Sequence, residues 1–127
     1  MAKICIIDKG RLTGFLQQFS DNSLTDYMLT LKMNFYEKNK NLIWQVDLYA
    51  PFGIDDFIKG SKAVIFVYED DRDIEKINEI LEILETGEAE LRSYSLSTGT
   101  GGYFPFGVKP VEDISRFLEK LVERQLN

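Results

Sequence analysis

Apolar and polar positions along the chain follow two periods, and the alternation between them lays out an α/β protein. Lys3 to Ile7 is a short, β-branched, continuous apolar run of the kind a central strand buried on both faces requires. After Asp8-Lys9-Gly10, the apolar residues Leu12, Phe15, Leu16 and Phe19 recur at helical spacing, and Asp21-Asn22-Ser23 ends that helix. Two alternating segments follow. Leu29, Leu31, Met33 and Phe35 share one face of the first, and Leu42, Trp44, Val46 and Leu48 share one face of the second. The polar stretch from Glu37 to Asn41 between them predicts an antiparallel hairpin.

Ala50-Pro51-Phe52-Gly53 breaks the second of these strands, and a short helical piece around Ile54 to Ile58 leads to Gly60. Ala63 to Tyr68 is a second continuous apolar strand. Glu69-Asp70-Asp71 opens a helix through capping and the dipole, with a stripe of Ile74, Ile77, Ile80, Leu81 and Leu84 and a C-cap at Gly87. Leu91 to Leu96 reads as a last strand, Ser97 to Val108 as a glycine- and aromatic-rich loop, and Pro110 as the first turn of a closing helix lined by Ile114, Phe117, Leu118, Leu121 and Val122. The predicted order is β-α-β-β-α-β-α-β-α, which implies an α/β three-layer sandwich with a mostly parallel sheet and one early hairpin.

Composition narrows the functional classes. A length of 127 residues suits one domain, here residues 1–127, and 44% apolar with 28% charged residues are ordinary globular values. The net charge of -6 argues against a nucleic-acid partner, which selects a basic face. No apolar run reaches the ~18 residues of a membrane span. Ala2 is not a myristoylation glycine and the C-terminal residues lack a prenylation cysteine, so the expectation is a cytoplasmic protein with no integral membrane segment and no lipid anchor. There is no histidine, which removes the commonest general base and metal ligand, and the lone Cys5 sits in an apolar strand as an inert thiol.

The order of elements, with a hairpin directly after the first helix, resembles the small GTPases of the Ras/Rab type. Asp26-Tyr27-Met28-Leu29-Thr30 is similar to their first switch segment, Trp44-Gln45-Val46-Asp47 to the strand ending in the aspartate of D-x-x-G, Phe57 to Tyr68 to their "YYRGA-x-x-IIVYD" stretch, and Ser97-Thr98-Gly99-Thr100-Gly101 to their "SAKTG" loop. The resemblance implies a P-loop-NTPase-like (small-GTPase-like) sandwich with about five strands and one antiparallel edge hairpin, truncated by one β-α unit because the [NT]-K-x-D motif with its strand and helix is missing.

The departures from that family carry the functional expectation. The phosphate loop G-x-x-x-x-G-K-[ST] is replaced by Asp8-Lys9-Gly10-Arg11-Leu12-Thr13, where the phosphate-binding lysine position holds Leu12. D-x-x-G reads Asp47-Leu48-Tyr49-Ala50, and the water-orienting position holds Pro51, whose side chain offers no hydrogen bond. The implied protein is a pseudo-GTPase, a scaffold or interaction subunit that binds another protein, in a multi-subunit complex or beside another GTPase-like subunit, without hydrolysing GTP and without a cofactor.

Two other readings stay open: an atypical switch protein that holds GTP or GDP with magnesium through Lys9, Arg11 and the Ser97 loop, and a small α/β enzyme or receiver-like domain. Thr13, Thr30 and Asp47 are the vestigial nucleotide-binding positions; capping and solvated surface are the plainer roles for them. Trp44, Tyr103, Phe104 and Phe106 are the candidate partner-binding aromatics, with packing onto the core as the competing role.

Overall fold

The computed structural model describes residues 2–28, 33–50, 53–83, 90–95, 100–103 and 107–108. Strand β1 (Lys3–Asp8) is followed by helix α1 (Thr13–Phe19) and by three strands, β2 (Asn22–Met28), β3 (Met33–Lys38) and β4 (Asn41–Asp47). Helix α2 (Ile54–Ile58), strand β5 (Ala63–Tyr68) and helix α3 (Asp71–Ile83) come next. Strands β6 (Glu90–Ser95), β7 (Thr100–Tyr103) and β8 (Gly107–Val108) complete the described elements.

All eight strands form one sheet in the order β2-β3-β4-β1-β5-β6-β7-β8. The inner strands β4, β1, β5 and β6 run parallel. Antiparallel pairs flank them on both sides, β2-β3 and β3-β4 on one, β6-β7 and β7-β8 on the other.

This corrects the expected fold class. The sheet has eight strands among the described residues rather than about five, and antiparallel pairing is not confined to one edge hairpin. The sheet is mixed, so the expectation of a mostly parallel, P-loop-NTPase-like (small-GTPase-like) sandwich is overturned. Two causes account for the difference. Asn22–Met28 mixes polar residues into a strand whose backbone pairs with β3 across a register shift, so it lacks the clean alternation that marks a half-buried strand. Thr100–Tyr103 and Gly107–Val108 are glycine-bearing strands beyond β6, where backbone pairing substitutes for a side-chain pattern. The predicted hairpin is likewise shifted: its first arm is Met33–Lys38 rather than residues 29–35, and it forms the second and third strands of a meander.

The β3-β4 connection is a two-residue turn in which Asn39 (φ 50°) and Lys40 (φ 64°) both lie in the left-handed region, as a type I′ hairpin needs. Asn41 then turns its side chain inward, where its Oδ1 accepts the N–H of Ala2 at 3.0 Å.

Helices lie on both faces of the sheet. On one, Leu12, Leu16 and Phe19 at α1 pack with Ile4, Ile6, Tyr36, Ile43, Ala63, Ile65 and Val67. On the other, Ile54 and Ile58 of α2 and Ile77 and Ile80 of α3 pack with Cys5, Ile7, Met33, Val46, Val64 and Phe66. β1 and β5 contribute to both clusters, which is why each reads as an unbroken apolar run; each fully buried Ile or Phe is worth about 1.5–3 kcal/mol. The arrangement obeys crossover handedness. Connections β4-α2-β5 and β5-α3-β6 step the same way across the sheet and share a face, while the chain leaving β1 steps the other way and carries α1 on the opposite face. Among the described residues no helix is long and apolar enough to cross a membrane.

Candidate functional site

The carboxyl ends of parallel strands are where open α/β sheets usually place their chemistry, and β1 is the strand at which the chain changes direction across this sheet. The loops that leave β1, β4 and β5 meet there. Two polar assemblies occupy this edge, one buried and one at the surface.

The buried assembly is centred on Gln45 of β4, which is 2% exposed. Its Nε2 donates to both oxygens of Asp8 at 3.1 Å and to Thr13 Oγ1 at 3.1 Å. Its Oε1 accepts from the Tyr36 hydroxyl at 2.9 Å and from Asn34 Nδ2 at 3.2 Å. Asp8 in turn accepts the backbone N–H of Gly10 on Oδ1 (3.1 Å) and that of Leu12 on Oδ2 (3.0 Å). Gly10 makes this return possible with φ 77°, a conformation in which a Cβ is strained.

Burial pushes the Asp8 carboxyl above its ordinary range, against the bonds from Leu12, Gly10 and Gln45, and the Asp47 charge adds to the rise. Tyr36 is pushed up to about 12 by burial and by the Asp8 charge, with the Thr13 hydroxyl acting in the opposite direction.

The surface assembly is centred on Asp73 of α3, which is 1% exposed. It accepts from Lys9 Nζ at 2.9 Å, from the Tyr49 hydroxyl at 2.7 Å and from the Glu69 N–H at 3.0 Å. Its own N–H donates to Asp70 Oδ1 at 3.0 Å, so Asp70 and Asp73 cap the start of α3 from two directions. Arg11 Nε lies 2.8 Å from Glu69 Oε1, and Lys9 Nζ lies 3.7 Å from the same oxygen. Burial alone would raise the Asp73 pKa, but the bonds from Glu69, Tyr49 and Lys9, with the Lys9 charge, hold it below the ordinary value. The Lys9 ammonium is correspondingly raised, first by its bond to Asp73. Tyr49 is pushed up to about 12 by burial and by the neighbouring carboxylate. A cleft of about 200 Å³ lies between Lys9, Tyr49, Asp70, Arg72 and Asp73.

Of the positions predicted to hold nucleotide, Thr13 opens α1 and is committed to Gln45. Asp47 ends β4 and accepts the N–H of Tyr49 on Oδ1 at 2.8 Å. No hydrogen bond joins Thr13 to Asp47 among the described residues, and Thr30 lies outside them. Among the described residues, no group of three or more acidic or cysteine side chains is placed to hold a metal ion.

Of the predicted partner-binding residues, Trp44 is half-buried on the α2/α3 face of the sheet, edge-on to Phe35 at 5.0 Å between ring centres. Lys3 Nζ sits 3.9 Å from its ring centre and also donates to the Lys59 carbonyl at 3.0 Å. The backbone of Tyr103 belongs to β7, paired with Arg92 and Gly107. Phe104 and Phe106 lie outside the described residues.

Asp8, Tyr36 and Gln45 were not singled out in the sequence, nor was the role of Asp73. The signal for Gln45 was its parity: it shares the face of Ile43, two positions away, and so had to be buried. Asp73 had no such signal, because a third acid after Asp70 and Asp71 reads as solvated helix start. A scan against protein-family models finds no match for this chain, and a search among curated proteins finds none either.

Proposed function

We propose that this chain is a protein-binding domain of the cytoplasm that neither holds nor hydrolyses GTP, and that it serves a larger assembly as a scaffold or interaction subunit. The observation that carries the reading is the pair of bonds from Gly10 and Leu12 N–H to Asp8. In a phosphate-binding loop, backbone N–H groups of this kind point at the ligand and no acidic side chain competes for them. Here an internal carboxylate takes them, and a phosphate brought to the same amides meets its negative charge.

The loop cations support the same reading. Lys9 is held by Asp73 and Arg11 by Glu69, which weighs against an atypical nucleotide switch that would recruit both. The half-buried ring of Trp44, with Phe35 beside it and Lys3 over it, is an aromatic surface that a partner could contact.

Titration of the purified protein with GTP, GDP and ATP in the presence of magnesium tests the nucleotide half. No heat and no rise in melting temperature is the expected result at millimolar nucleotide; micromolar affinity for any of the three would overturn it. The partner half is tested by crosslinking in the source cells. Trp44→Ala, if folded by circular dichroism, should lose the crosslinked protein that the unaltered chain retains.

A further inference from the structure

Lys3, Lys40, Lys59 and Lys62 are scattered along the sequence, and the sheet gathers them. The parallel strands β4, β1 and β5 begin side by side at its amino edge, the end away from Asp8 and Asp73. Lys3 of β1 lies in register with Leu42 of β4, and its carbonyl accepts the N–H of Lys62, the residue before β5, at 2.8 Å. The Lys3 ammonium donates to the Lys59 carbonyl at 3.0 Å. Lys40 stands one residue before Asn41, whose side chain holds the N–H of Ala2. Adjacent strands are about 4.8 Å apart, so the strand starts beside Lys40, Lys3 and Lys62 span about 10 Å.

Lys40, Lys59 and Lys62 are exposed. Among the described residues none of the four makes an ion pair, although Lys9, Arg11, Lys38 and Lys76 all do. Asp21, the acid beside the turn, is taken by Lys38 and by the N–H of Asn39, while Glu37 lies opposite Leu42 at the rim. A chain of net charge -6 thus keeps a basic patch that its own carboxylates leave unmatched there. Apolar surface adjoins it, because Lys3 Nζ sits 3.9 Å from the ring centre of Trp44 and Phe35 meets that ring edge-on.

Resting on the protein-binding reading above, we propose that this amino edge docks an acidic segment of another protein. Carboxylates of the segment meet Lys3, Lys40, Lys59 and Lys62, and an apolar side chain among them meets Trp44 and Phe35. Charge selects a short acidic segment over a nucleic acid or an anionic membrane. A polyanion larger than the patch also meets Asp71, Glu75, Glu79 and Glu82 on the exposed side of α3, and the net charge repels it at longer range.

Trp44 is the only tryptophan of the chain, so its emission reports occupancy of this surface directly. The probe is a short peptide of aspartates and glutamates around a central phenylalanine. A saturable change in emission at sub-millimolar peptide is expected, weakening as salt is raised. Lys59→Glu combined with Lys62→Glu should weaken binding about tenfold or more, since two attractions become repulsions. Lys76→Glu, outside the patch on α3, should change it less than about twofold. No saturable change at millimolar peptide would overturn the proposal. So would equal binding of the same peptide with asparagine and glutamine for its acids, or tighter binding of phosphatidylserine vesicles or single-stranded RNA. Crosslinking in the source cells separates this proposal from the reading beneath it. Loss of the crosslinked protein from both the folded double variant and Trp44→Ala is expected; if the double variant keeps it, the domain still binds protein and the acidic partner is refuted.

Discussion

The side-chain nitrogen of Gln45 lies 3.1 Å from each carboxylate oxygen of Asp8, deep between β1 and β4, and this contact joins the first strand of the sheet to the meander that follows α1. A buried carboxylate satisfied by amides alone, with no cation among its bonds, depends on each of them.

Gln45→Leu should therefore be among the more damaging single changes. It removes a donor to Asp8 and an acceptor for Tyr36, and leaving buried groups unmatched costs about 1–3 kcal/mol each, more for a charge. A loss of about 3 kcal/mol or more in urea unfolding is expected. Combined with Asp8→Asn, the two changes should cost less than their sum by about 1 kcal/mol or more; strict additivity would show that the contact carries no energy of its own.

Asp8 and Asp73 should respond to acid in opposite senses. The Asp8 pKa is raised on folding, so its contribution to stability is fully present below the unfolded value of about 3.9 and is lost as pH rises through the folded value. The Asp73 pKa is lowered, so its contribution is present above about 3.9 and is lost as pH falls through the folded value. Urea titrations across the acid range should show the unaltered protein gaining on Asp8→Asn and losing ground to Asp73→Asn as pH falls. Parallel curves for the two variants would contradict both assignments.

The turn between β3 and β4 should be improvable. Lys40 has φ 64°, which costs a residue with a Cβ about 1–2 kcal/mol and a glycine almost nothing. Lys40→Gly converts Asn39-Lys40 to the Asn-Gly pair that type I′ turns favour, and should raise stability by about 0.5–1 kcal/mol by thermal or urea denaturation. No gain would mean that the left-handed pair is not kept in solution.

Cys5 should be silent to thiol reagents until the sheet opens. It is fully buried, and burial pushes its thiol up to about 12 against the opposing charge of Lys3. Labelling by an aromatic disulfide should run at the rate of global unfolding and track urea concentration; rapid labelling in native buffer would show that β1 is accessible.

The buried strands were legible because burial on both faces leaves a short, β-branched apolar run between polar flanks: Ile4 to Ile7 and Ala63 to Val67 are apolar without a gap. The helix at Asp71 was legible from its acidic start and its Ile74, Ile77, Ile80 spacing. The flanking strands were not. Asn22–Met28 keeps a polar residue at most positions, and a strand beyond the core is selected by its neighbour's open backbone more than by its own side chains. The GTPase likeness rested on the order of short segments, and order along a chain does not count the strands of a sheet.

Of the candidate residues, Thr13 and Asp47 sit near the carboxyl edge of the sheet, yet each is engaged within the protein: Gln45 for one, the Tyr49 amide for the other. Long-range convergence such as Lys9, Tyr49 and Glu69 upon Asp73 has no signature in any window of sequence, since three loops must first be brought together by the sheet.

The position of β1 has a consequence for how the protein is made. β1 precedes both of its neighbours along the chain and becomes an interior strand, with Ile4 opposite Ile43 on one side and opposite Ala63 on the other. Its apolar flanks have no lasting partner until β4 and then β5 have been synthesised, and closure over such separations is slow. The nascent chain thus carries an uncovered, aggregation-prone ribbon until β5 has been made, a period in which a holding chaperone would find its natural target.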